Sequence, residues 1–304
     1  LKMAFHYWSN LGRRGKDRYL ALEGGYHGET VGALGVTDVA IFRDAYAPLL
    51  REAITVPFPA DGSGDALEEI LRRRHGEIAA LIVEPLVQGA GGMRFYDPAW
   101  LRRARELCDR HEVLLIADEI MTGFGRTGTM FACEQAGIAP DLMCLSKGIT
   151  GGYLPLSCVL STDAVFGAFY DERVARGFLH SHSYTGSALA CRAACAVLDL
   201  FERGDVIAAN ARKAARFCAI AAPLARHRRV RGWRHLGMIW AFEVEGAGAD
   251  FAARAFELAL ARGVVLRPIG GTVYFMPPYV IEDEEFALLV DAALAIADAL
   301  DDRG

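Results

Sequence analysis

The sequence has no Cys-x-x-Cys pair, no run of 18 apolar residues, no long block of one charge sign and no signal-peptide layout in its opening "LKMAFHYW". Each absence removes a class of protein. Without paired cysteines, Cys108, Cys133, Cys144, Cys158, Cys191, Cys195 and Cys218 outline no disulfide framework, and their apolar neighbours read as small buried hydrophobes in a reducing cytoplasm. Without a long apolar run, no membrane span is expected, and the chain should be soluble. A net charge of −5 gives no polyanion signal. The basic clusters "LRRRHGEI" and "RHRRVRGWRH" lie near acidic helices without a pattern of stacking aromatics, so nucleic acid is not an expected partner. Internal repeats and low-complexity tracts are also absent.

What is present is apolar and periodic. At 304 residues and 53% hydrophobic, the chain can bury a large core shared by two domains, as in an α/β enzyme or an obligate oligomer. Its start, "LKMAFHYWSNLGRRGKD", shows helical spacing from the first residue, with Leu1, Ala4, Phe5 and Trp8 on one stripe and no capping residue ahead. The expectation is an upstream segment in the parent protein.

The segments "AALIVEP", "VLLIADEI" and "LMCLSKG" are short apolar runs ending in turn signals, and "PAWLRRARELCDRH" is an amphipathic helix. Together they predict an α/β fold with a mainly parallel central sheet and helices on both faces. Right-handed crossovers gather the strand C-termini on one edge, where open α/β sheets bind ligands. Glu84, Asp118, Glu119 and Lys147 fall at or just past such strand ends and are expected to share one crevice. The helix "GSALACRAACAVLDLFERGD" leads away from this domain. Beyond it come a helix from about residue 205, a strand "MIWAFEVE", a helix "ADFAARAFELALARG", a short strand "VVLRP", the segment "TVYFMPPYV" and a closing helix from about 282. The expected division is a large domain over 1–197 and a smaller α+β domain over 198–304.

Lys147, in "CLSKGITGGYLPLS", is the residue least expected in such surroundings. A lysine in a dry crevice loses part of its preference for the ammonium and can form a Schiff base with an aldehyde cofactor or a carbonyl substrate. The plainer alternative is a lysine that snorkels from a strand end to solvent. Asp118, directly after "VLLIA", is costly to bury unless it faces a cation or a donor, and the protonated ring nitrogen of pyridoxal phosphate is such a partner. Strand alternation would put Ile120 on the same face, against that ring.

These residues lie in "LIADEIMTGFGRTGTMFACEQAGIAPDLMCLSKGITGGYLPLS", which resembles class III aminotransferases of the fold type I pyridoxal-phosphate superfamily. "GYHGET", "VEPLVQGAGGMRFYDPAWL", "FLHSHSYTGSALACRAA" and "LRPIGGTVYFMPPYVI" extend the resemblance over essentially the whole chain. It implies a homodimer with shared active sites, small-molecule substrates (an amino donor and a keto acid) and pyridoxal 5′-phosphate as cofactor. Lys147 is then the Schiff-base lysine and proton shuttle, and Asp118 the partner of the pyridine nitrogen. Tyr26 and Ile120 stack on opposite ring faces, His27 joins the cofactor-binding set, and Gln88 lies near the ring hydroxyl. Glu84 orients neighbouring donors. Ser183, before a helix starting near Gly186, reaches the partner subunit's cofactor phosphate. Arg267, with Tyr274 beside it, clamps a distal carboxylate. Arg126 contacts either the amino donor or a loop carbonyl.

No metal is implied, since His180 and His182 lack a third ligand. The chain departs from the family in lacking the upstream Gly-Ser phosphate loop, in a short loop near Gly62, in His182-Ser183 where some members have Pro-Thr, and in Met121, which replaces a smaller residue. Two other readings stay open: a broader ω-amino acid or diamine transaminase, and a cofactor-free binding protein on the same sheet.

Overall fold

The computed structural model describes residues 1–60 and 64–299, so the reading of the loop near Gly62 lies outside the described residues. The first of two compact units comprises Leu1–Phe124 and Phe131–Leu200. The second comprises Gly125–Met130 and Phe201–Gly304, so the chain enters it briefly before residue 131.

In the first unit, β1 (Arg18–Leu22), β2 (Ile54–Val56), β3 (Ile78–Val83), β4 (Leu114–Asp118), β5 (Leu142–Leu145) and β6 (Cys158–Ser161) form one sheet in the order β2-β1-β3-β4-β5-β6. All neighbours are parallel except β5 and β6. This matches the predicted fold, a mainly parallel sheet. Every residue of β3 is buried, the pattern of a strand covered on both faces. β6 was not foreseen. As an antiparallel edge strand with three of its four residues exposed, it carries no apolar-run signal.

Helix α1 (Lys2–Asn10) buries Ala4 and Trp8, and the Trp8 indole N–H donates to the Ala79 carbonyl at 2.8 Å. Phe5, expected on that stripe, is exposed. Helix α2 (Pro98–Arg110) begins where the Asp97 side chain accepts from Ala99 N–H, with Pro98 in the first turn, and it buries Trp100, Leu101, Ala104 and Leu107. Helix α3 (Ala188–Arg203) starts two positions after Gly186 and buries only Ala190 and Ala194.

The second unit holds α4 (Val206–Ile220), β7 (Val230–Leu236), β8 (Ile239–Val244), α5 (Phe251–Leu260), β9 (Thr272–Phe275) and α6 (Asp283–Asp298). Its antiparallel sheet runs β9-β8-β7. Aromatic packing dominates this core. Phe217 and Phe286 stack at 4.0 Å between centroids, and Trp240 and Phe275 pack against Phe286. The basic segment "RHRRVRGWRH" supplies β7, where Arg231 and Arg234 pair with Glu245 and Glu243. "VVLRP" is not a strand. Its burial alternates, but among the described residues the only bridge nearby joins Ile269 to Thr272.

Candidate active site

The C-terminal edge of the first sheet is built from four loops. In the loop after β1, Glu23 to His27, three backbone donors are taken up by side chains from elsewhere. Gly24 N–H donates to Asp38 Oδ2 at 2.9 Å, Tyr26 N–H to Glu84 Oε2 at 3.0 Å, and His27 N–H to Thr37 Oγ1 at 3.1 Å. A Cβ on Gly25 would lie 3.0 Å from the Leu22 carbonyl oxygen, so a larger residue would push the turn open. Sequence reasoning passed over Thr37 and Asp38, which sit between Val36 and Val39 in an otherwise apolar stretch with no motif to mark them. Tyr26 is half-buried, packs against Phe42 at 4.9 Å and donates its hydroxyl to Glu29 at 2.9 Å. Burial, reinforced by Glu29, pushes its phenol up to about 12.

Asp118 ends β4 with its side chain 7% exposed. Its Oδ2 lies 2.8 Å from His27 Nδ1, itself 2% exposed, and its Oδ1 accepts from Ile120 N–H at 3.2 Å. A carboxylate only accepts, so the shared proton sits on the imidazole. The expectation that Ile120 shares the Asp118 strand face is corrected: β4 stops at Asp118, and Ile120 lies in the following turn. Glu119 does not share the crevice either. Its fully buried carboxylate accepts from Thr122 Oγ1 at 2.5 Å and Cys133 N–H at 2.9 Å, capping the short helix Cys133–Ala136. Burial raises its pKa against those donors.

Glu84, after β3, is buried, and its second oxygen accepts from Gly89 N–H at 2.9 Å. Burial pushes its carboxyl up to about 7, opposed by His27 and the two N–H donors. Gln88 is fully buried and donates Nε2–H to the Glu23 carbonyl at 3.1 Å, while its Oε1 has no hydrogen-bond partner. Such an orphaned acceptor is rare in a native fold and asks for a donor. Met121 lies over Gly89, where a Cβ would meet its sulfur.

Lys147 stands three residues past Cys144, which pairs in register with Asp118. Contrary to the expectation of a dry crevice, it is exposed. Among the described residues its amine makes no hydrogen bond or ion pair, while its backbone is held at a left-handed φ of 46°. The loop around it is fixed: Ser146 Oγ donates to the Leu156 carbonyl at 2.7 Å, and a Cβ on Gly148 would lie 2.9 Å from Phe124. Ser183 is exposed in a turn before α3. His180 Nδ1 lies 3.0 Å from Lys2 Nζ, and His182 Nδ1 accepts from Tyr184 N–H at 3.1 Å. Among the described residues no cluster of His, Cys, Asp or Glu could hold a metal.

Three predicted residues belong to the second unit. Arg126 donates to the Pro277 carbonyl at 2.8 Å and the Met238 carbonyl at 3.4 Å, with its guanidinium 4.6 Å from the Tyr279 ring centroid. The contact present is therefore with loop carbonyls. The Ile269–Thr272 bridge folds the chain back so that Arg267 and Tyr274 stand two residues from it on either side. Arg267 is exposed and, among the described residues, unpaired; Tyr274 is half-buried.

A mainly parallel sheet with a buried Asp–His pair and an unengaged lysine on adjoining strand ends defines an enzyme-like site. The class III aminotransferase family model matches residues 1–297, and the chain belongs to that family. It is 45% identical to the adenosylmethionine-8-amino-7-oxononanoate aminotransferase of Helicobacter pylori, over 99% of this chain and 72% of that one. The solved structure of the Methanocaldococcus jannaschii enzyme of the same name superposes with a TM-score of 0.92 at 32% identity, covering 98% of this chain and 72% of that one. A PLP-bound amine transaminase from an uncultivated Pseudomonas species gives a TM-score of 0.89 at 33% identity, covering 98% and 73%.

Proposed function

We propose that this chain is a pyridoxal-phosphate-dependent aminotransferase that converts 8-amino-7-oxononanoate to 7,8-diaminononanoate in biotin synthesis, with S-adenosylmethionine as amino donor. The observation that carries this reading is the 45% identity, across nearly the whole chain, to a Helicobacter pylori enzyme named for those two substrates.

The first unit fits the cofactor. Asp118 keeps lone pairs beyond those engaged by His27 and Ile120, and Gln88 Oε1 is an acceptor without a donor. Pyridoxal phosphate, when bound, supplies an aldehyde that takes up the amino group and a pyridinium ring that withdraws electrons from the substrate carbon. Asp118 holds the proton on the ring nitrogen, and His27 holds Asp118. Tyr26 and Ile120 would hold the ring between them, and Gln88 would accept from its hydroxyl. Lys147 offers the amine that attaches the cofactor and moves the proton at the substrate carbon. Ser183 provides a hydroxyl for the phosphate of the partner subunit's cofactor. Arg267, with Tyr274, recognises a substrate carboxylate, and Arg126 braces the substrate-binding loop.

In this reading residues 1–197 form the large domain and 198–304 the small one. The enzyme is a cytoplasmic homodimer with shared active sites. Exposed apolar residues on β6 and α3, among them Val159, Leu160, Leu189, Leu198 and Leu200, support the pairing. Among the described residues no helix is long and apolar enough to cross a membrane.

The test is the absorbance of the cofactor-loaded protein, titrated first with S-adenosylmethionine and then with the keto acid. The donor should remove the cofactor's near-visible band and the keto acid restore it. Failure to aminate the oxononanoate with any donor would overturn the assignment. It would favour an ω-amino acid or diamine transaminase, a reading supported by the likeness to the amine transaminase.

A further inference from the structure

Two of the four site loops are locked to each other, and one carboxylate makes the central connection. The loop after β1 carries Tyr26, and the segment after β3 carries Gln88 in a two-residue strand, Val87–Gln88, paired antiparallel with Arg94–Phe95. Glu84 accepts from Tyr26 N–H with one oxygen and from Gly89 N–H with the other, at 3.0 and 2.9 Å. The loops also touch where Gln88 donates to the Glu23 carbonyl, and where a Cβ on Gly91 would strike the Gly24 carbonyl oxygen.

The loop after β3 does not rest easily in this shape. Leu86 and Met93 both hold positive φ, 65° and 51°, a conformation that side chains other than glycine adopt at a cost. Tyr96 closes the loop from below by donating its hydroxyl to the Glu84 carbonyl at 2.8 Å. A buried carboxylate is itself unfavourable, so its retention here calls for a role.

We propose that Glu84 is a positioning residue of the transamination site, whose single carboxylate fixes the spacing between Tyr26 and Gln88 and thereby the slot that receives the cofactor ring. The proposal rests on the transaminase reading and makes the expected orienting role of Glu84 specific: it joins the Tyr26 turn to the segment that carries Gln88. Asp38 provides the internal comparison. It also anchors the Tyr26 turn, through Gly24 N–H, but among the described residues it makes no hydrogen bond to the segment that carries Gln88. An amide in place of Glu84 has one acceptor oxygen for two N–H groups, so one loop is released.

The test measures pyridoxal phosphate affinity by titrating the cofactor-stripped full chain, together with turnover and donor KM after loading, for the wild type, Glu84→Gln and Asp38→Asn. Glu84→Gln should raise the cofactor Kd about tenfold and lower kcat, with donor KM changed less than about twofold; Asp38→Asn should weaken the cofactor by about threefold or less. A Glu84→Gln Kd within about twofold of wild type overturns the proposal, as does an equal loss in Asp38→Asn. If Glu84→Gln does not fold, Glu84→Asp, too short to reach both N–H groups, carries the same expectation. Absence of cofactor binding by the wild type would instead count against the transaminase reading.

Discussion

The sheet of the first unit carries a lysine at each edge, and the two are treated in opposite ways. Lys16 lies at the edge where β1, β3 and β4 begin. It is 2% exposed, and its ammonium donates to the carbonyls of His75, Ile78 and Glu112 at 2.8, 3.2 and 2.6 Å, 4.5 Å from the Trp8 ring centroid. All three of its protons are used. Lys147 lies at the edge where the strands end, exposed and unengaged among the described residues, on a backbone held at positive φ. A saturated ammonium stabilises the fold; an unengaged amine on a rigid loop is available for chemistry.

That contrast predicts separable losses. Lys147→Ala should reduce turnover by roughly a thousandfold or more, the upper range for removing a group that transfers protons, and should change unfolding free energy by less than about 0.5 kcal/mol. Multiple-turnover activity at a tenth of wild type or above, measured with saturating cofactor, would remove Lys147 from the mechanism. Lys16→Met should do the reverse. Three buried carbonyls lose their donor, costing about 3 kcal/mol in urea unfolding, while kcat of the protein that remains folded stays within about twofold. If the two variants damage stability alike, the distinction between the edges fails.

The second unit repeats the pattern with arginines. Arg126 is occupied by the Pro277 and Met238 carbonyls and the Tyr279 ring, whereas Arg267 is exposed and unpaired among the described residues. Arg267→Ala should therefore raise the KM for the keto acid by about 10- to 100-fold, the loss of a charge-assisted contact, and alter the donor half-reaction by less than about threefold. Equal damage to both half-reactions would argue that Arg267 recognises no feature particular to the acceptor.

The sequence made the strands legible wherever burial is two-sided. β3 and β4 are apolar runs because both faces are covered, β5 is apolar although its two middle residues are half-buried, and their ends mark Glu84, Asp118 and Lys147. It misled where geometry depends on the residue at which a strand stops. Counting Ile120 onto the Asp118 face assumed one more turn of pleat than β4 possesses, and Glu119, one residue on, is drawn away to the N-terminus of another helix. β6 escaped because an exposed edge strand has no apolar run to read. "VVLRP" has strand-like alternation without a ladder, since pairing depends on a partner that local pattern does not encode. The burial of Lys16 rather than Lys147 follows from three carbonyls contributed by distant positions, which composition around residue 16 does not announce.

The smallest expected effect concerns Ser183. Its hydroxyl is exposed in the turn before α3 and makes no hydrogen bond among the described residues, so nothing in the fold of one chain requires it. Ser183→Ala should leave unfolding free energy within about 0.5 kcal/mol and weaken cofactor binding by about two- to tenfold, the range for one hydrogen bond to an anion's oxygen. If the hydroxyl serves a partner subunit's cofactor, the loss should follow the fraction of dimer when protein is diluted, because a monomer has no second cofactor for it to reach. A loss independent of protein concentration, in a sample shown by sedimentation to dissociate over that range, would place the contact within a single chain and separate Ser183 from any shared site.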